Sequence, residues 1–113
     1  MIKIESTESS KLYFKGTTVE IAQVYARIMF TANFDGKSID INFLAYENEL
    51  GFANNEQPLN IEGVAGFRQM ALTFDLALGT NPETYAAQIN QVAHDKLKEF
   101  LDGLGYTNTI IGL

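Results

Sequence analysis

His94 is the single imidazole in a chain of 113 residues that contains no cysteine. Nucleophilic catalysis by serine or threonine needs a base, and His94 is the one conventional candidate. A zinc site needs two or three further ligands around it. If residues 82–103 are helical, its neighbours one turn away are Asn90, Gln91, Leu97 and Lys98, none of them suited to zinc. The absence of cysteine excludes disulfides, thiol nucleophiles and thiolate-held clusters. Carboxylates are plentiful, but Glu47 and Glu49 lie in a polar, loop-like stretch, where nothing drives their pKa values apart. Gly63 and Gly66 match neither a dinucleotide fingerprint nor a phosphate-binding loop with its lysine. Gly103-Leu104-Gly105 follows the expected helix instead of opening it, so it reads as a cap. The expectation is a protein that is not an enzyme, with no catalytic residues, cofactor or metal.

Charge narrows the partners. Fourteen acids against eight bases give a net charge of −6. The excess is local: from Ser38 to Asp95 there are eight acids and one base, Arg68. Phosphate backbones and anionic lipid surfaces are bound by clustered Lys and Arg, so neither nucleic acid nor membrane is an expected partner. No apolar run resembles a signal peptide or a membrane span, which points to synthesis in a cytoplasm.

Two strand-like runs, Val24–Asn33 and Lys37–Glu47, flank Asp35-Gly36, a pair that favours a type I′ hairpin because both central residues take positive φ. With that loop, Ala32 faces Ile39, Phe30 faces Ile41, Ile28 faces Phe43 and Ala26 faces Ala45, all on one side of the pleat. The other side pairs Thr31 with Asp40, Met29 with Asn42, Arg27 with Leu44 and Tyr25 with Tyr46. Slipping by one residue sets the apolar row against polar residues, so the pattern pins the register.

Further strands are expected at Leu12–Phe14, about Leu59–Glu62, Gln69–Leu76 and within Tyr106–Leu113. Leu50 and Phe52 are expected to tack down the loop 48–58. Thr80-Asn81-Pro82-Glu83 opens a helix over about 82–103 with a cap and an early proline. Its apolar stripe runs Tyr85, Ile89, Val92, Ala93, Leu97, Phe100, Leu101 and Leu104. Gly103 or Gly105 is expected to close it. The reading is one domain, residues 1–113, in which the polar run 5–10 forms either a turn or, with the residues before it, a mobile N-terminal arm 1–10. Its class is α+β: a mostly antiparallel sheet with a central hairpin at 24–47 and one long helix near the C-terminus, or alternatively a β-sandwich with an accessory helix.

Tyr25, Met29, Leu44 and Tyr46 share the outer side of the hairpin. This patch is too apolar to face water, so either a second layer of the domain covers it or a neighbouring subunit does. Ile2–Glu5 and Thr107–Leu113 have the composition of strands that add to a neighbour's sheet.

Val24-Tyr25-Ala26-Arg27-Ile28, Phe30, Asp35-Gly36-Lys37, Ile39, Ile41, Phe43 and Tyr46 form a pattern that resembles small structural proteins of tailed bacteriophages. These are tail, baseplate and neck components with a V-Y-x-R strand and a hairpin at G-K. The likeness covers Val24 to Ile61, about a third of the chain. It implies a virion part in several copies about a symmetry axis, made in the host bacterial cytoplasm and joined to other virion proteins as a homo- or hetero-oligomer. It brings no catalytic residues with it. The rival expectation is a small acidic immunity protein or phage-encoded inhibitor that blocks a basic partner.

Overall fold

A computed structural model describes residues 1–32, 38–63, 72–75 and 82–112, with side chains over 1–31, 38–63 and 88–112. The Asp35-Gly36 turn, Gly66, residues 69–71 and 76 of the expected strand and the Thr80-Asn81 cap lie outside the described residues.

The chain is a small α+β protein, with antiparallel sheets and one helix among the described residues. Its strands are β1 (Ile2–Glu5), β2 (Leu12–Phe14), β3 (Glu20–Ile21), β4 (Gln23–Ala32), β5 (Ser38–Tyr46), β6 (Ile61–Gly63), β7 (Leu72–Asp75) and β8 (Thr107–Ile110). The helix α1 spans Pro82–Gly103, ahead of β8. A five-stranded sheet runs β7-β5-β4-β1-β8, and a three-stranded one runs β3-β2-β6.

β4 and β5 pair in the expected register across all eight positions, from Tyr25–Tyr46 to Ala32–Ile39. The alternation has the expected result: Val24, Ala26, Ile39, Ile41, Phe43 and Ala45 are buried on the inner face. Ala93, Leu97 and Leu101 of α1 pack in the same core, with Leu12, Ile21 and Ile61 of the second sheet. Ile89, Val92, Phe100 and Leu104 flank that stripe.

The N-terminus corrects the expectation. Residues 1–10 are not an arm, because β1 lies between β4 and β8 and buries Ile2 and Ile4 completely. Their period-two spacing places both on the inner face. Thr107–Ile110 likewise pairs with β1 of its own chain, Ile2 opposite Ile110 and Glu5 opposite Thr107, so neither terminus is spent on a neighbour. The outer edge of β8 is blunted as well. Lys98 Nζ donates to Asn108 O at 3.2 Å and Oδ1 at 3.3 Å, and a cation on an edge strand opposes further pairing.

The polar turn after β1 satisfies the helix end. Ser10 Oγ donates to Leu104 O at 2.6 Å and Thr7 Oγ1 to Gly105 O at 3.3 Å, two carbonyls without helical partners. Gly105, at φ 89°, is the left-handed closing residue. Tyr106 then turns inward and its hydroxyl donates to Lys11 O at 3.1 Å. Burial pushes this phenol up to about 12. The folded chain therefore holds the proton more tightly than the unfolded chain, whose tyrosines titrate near about 10. The resulting stabilisation is complete below pH 10 and disappears as pH rises through about 12. Tyr106→Phe is expected to flatten that part of an alkaline denaturation curve.

Candidate interaction surface

The outer face of the β4–β5 hairpin is divided, not continuous. Tyr46 is buried, at 4% exposure, whereas Met29 is 42% exposed and Tyr25 and Leu44 are half-buried. The cover over Tyr46 comes from its own chain, the loop 47–58. Phe52 meets the Tyr46 ring edge-on with centroids 6.2 Å apart, a favoured aromatic geometry. Gly51 lies so close that a Cβ there would come within 2.7 Å of Tyr46 Cβ and of Glu56 Oε2.

Hydrogen bonds fold this loop back on itself. Glu56 N–H donates to Gly51 O at 2.9 Å, Asn54 N–H to Leu50 O at 2.9 Å, and Asn48 Nδ2 to the Glu56 carboxylate at 3.1 and 3.3 Å. The result is a ledge. Contrary to expectation, Leu50 does not tack it down and is 62% exposed, while Phe52 is half in and half out. The Arg27 guanidinium carbon sits 3.7 Å from the Phe52 ring centre, a cation–π stack. Met29, Leu50 and Phe52 are thus large exposed apolar groups, Met29 two residues along β4 from Arg27 and the other two on a loop that also carries the exposed acids Glu47, Glu49 and Glu56. Pattern reading along the strands reached Tyr25, Met29, Leu44 and Tyr46 but missed the Arg27–Phe52 stack. The available signal was an exposed-side arginine on a strand followed by a loop with an isolated aromatic.

His94 is packed, at 3% exposure, with both ring nitrogens engaged. Nδ1 lies 2.7 Å from Asn90 O and Nε2 lies 2.7 Å from the Met1 amino nitrogen. A carbonyl only accepts, so Nδ1 carries the proton and Nε2 accepts from the amino group, which also donates to Gly112 O. Burial lowers the His94 pKa, and the nearby amino charge adds to this against opposing contributions from Asn90 and Asp95. Burial and then Arg27 lower that of the amino group. Both groups bind protons less readily folded than unfolded, so their contribution is present above about 6.5 for the histidine and is lost as pH falls. Denaturation midpoints should drop on acidification through that window, less steeply in His94→Gln.

Among the described residues, no three His, Asp or Glu side chains form a group able to hold a metal, and no helix is long and apolar enough to cross a membrane. No protein-family model, curated protein or solved structure matches the chain.

Proposed function

We propose that this chain is a non-enzymatic structural component of a tailed-phage virion, in tail, baseplate or neck. It works through protein–protein contacts in a symmetric assembly, after synthesis in the host cytoplasm. The observation that carries the contact role is the ledge: Phe52 is exposed with Arg27 stacked on it, and Leu50 of the same loop and Met29 of the same strand as Arg27 are exposed too. Aromatic, Met and Arg side chains are the types enriched where proteins meet. The virion assignment rests on the likeness of the Val24–Ile61 segment to phage structural proteins. In this reading the ledge meets other virion proteins or further copies of the chain.

The test is size-exclusion chromatography with light scattering, on the chain alone and co-expressed with the other structural proteins of a candidate phage. Oligomers or incorporation into particles are expected, and Met29→Glu combined with Phe52→Ser should abolish both. Met29 is exposed, whereas Phe52 also covers Tyr46 and carries the Arg27 stack, so the pair is expected to lose about 1–3 kcal/mol of stability while keeping the fold, which an unchanged circular dichroism spectrum checks. A monomer that enters no particle and instead captures a basic protein one-to-one overturns the reading in favour of an inhibitor.

A further inference from the structure

β4 is longer than the strand that covers one of its sides. β1 pairs with Gln23–Ala26, and β4 continues to Ala32. Two hydrogen bonds establish which backbone groups are left over. Ser6 N–H donates to Ala22 O at 2.9 Å, which points the even-numbered residues of β4 at β1. Leu59 N–H donates to Ala45 O at 2.8 Å, so Ala45 and its opposite number Ala26 turn away from each other, which gives the same parity. Ile28 and Phe30 therefore aim their N–H and C=O groups at the side where β1 has ended. Among the described residues, no strand pairs with them there. At two other edge positions the outward group is already taken: Asn42 Oδ1 accepts from Phe43 N–H at 2.8 Å, and Lys98 Nζ donates to Asn108 O at 3.2 Å.

This stretch opens on a cleft of about 440 Å³ whose lining includes Ile28 and Phe30 from β4 and Asn90 and His94 from α1. Ile28 and Phe30 belong to the inner, core-facing row yet remain half-buried. Arg27, Glu49 and the Met1 end also line the cleft. Among the described side chains of the lining, Arg27 and Glu49 carry the charge, and Ile111 and Gly112 complete the wall. Arg27 stacks its face on Phe52 and makes no ion pair among the described residues, which leaves its in-plane donors for an anion.

We propose that this groove binds the C-terminal end of a partner's extended chain as an added strand antiparallel to β4. Such a strand runs in the direction of β1, towards Arg27. β1 occupies the line beyond, so the segment ends there and its terminal carboxylate meets the guanidinium. Ile28 and Phe30 supply two N–H and two C=O groups, and alternate apolar side chains of the guest enter the cleft above them. The proposal does not depend on a virion role; its groove adjoins the ledge and shares Arg27 with it, whereas the Ile28 and Phe30 backbone groups belong to the groove alone.

The first test needs only the free protein. In hydrogen exchange followed by NMR, the Ile28 and Phe30 amides should exchange at least about tenfold faster than those of Val24 and Ala26. Equal protection means the edge is already paired and overturns the proposal. The second test pans a library of random peptides with free C-termini against the full chain. Enriched peptides should alternate apolar residues, protect those two amides, and lose about tenfold in affinity on C-terminal amidation or with Arg27→Gln, the size of one charge-assisted contact. No enrichment over the unselected library, enriched peptides that leave both amides unprotected, or indifference to amidation each overturn it.

Discussion

Ile4→Ala is expected to lower the unfolding free energy by about 2–5 kcal/mol, and deletion of residues 1–5 to leave no folded protein. Ile4 is fully buried, on a strand with neighbours on both sides, so truncation leaves a cavity that the flanking ladders hold open. Deletion removes Ile2 as well and separates β4 from β8, stranding one row of backbone groups on each. Two such side chains together approach the whole stability of an ordinary domain, about 5–15 kcal/mol. Urea denaturation followed by circular dichroism measures the first variant, and the dispersion of an amide NMR spectrum decides the second. A truncated chain that keeps a dispersed spectrum overturns the central placement of β1.

That result bears on why some elements were legible in the sequence and others were not. The hairpin carried two agreeing signals: a turn dipeptide that sets the loop, and apolar partners that match only in one register. The helix stripe from Ile89 to Leu104 was equally plain, because three- and four-residue spacing has no rival interpretation over that length. β1 offered two apolar residues followed by a polar run, Glu5 to Ser10, which also describes a tail. Its identity as a central strand is set by distant partners, Val24–Ala26 on one side and Asn108–Ile110 on the other. Tyr46 shows the same limit at the candidate surface: its cover comes from Phe52, whose return depends on hydrogen bonds within the loop. The cleft beside β4 was beyond any local pattern. It arises because β1 stops pairing at Ala26 while β4 continues, a difference between two strands far apart in sequence.

Gly63→Ala is the other substitution with a large expected effect, about 2–4 kcal/mol of destabilisation from overpacking plus a lost buried hydrogen bond. A Cβ at this position would lie 1.9 Å from Tyr106 Oη and 3.1 Å from Lys11 O. The first distance is half an ordinary contact, so the phenol must leave, and the backbone at Lys11 gives the methyl group little room to turn aside. Once displaced, Tyr106 no longer donates to Lys11 O, and the tie between the helix–β8 corner and the β2–β6 pair is broken. Tyr106→Phe alone removes the hydroxyl and leaves the Lys11 carbonyl short of a donor, at a cost of about 1–3 kcal/mol. The double variant separates steric from polar causes: with the hydroxyl absent, the alanine methyl keeps only tight contacts of 3.1 Å to Tyr106 Cζ and Lys11 O, which a shift of a few tenths of an ångström relieves. The two changes are therefore expected to be strongly non-additive, with the pair about as stable as Tyr106→Phe alone. Simple additivity of the two costs in urea denaturation would show that the methyl group clashes with the Lys11 backbone and not with the phenol.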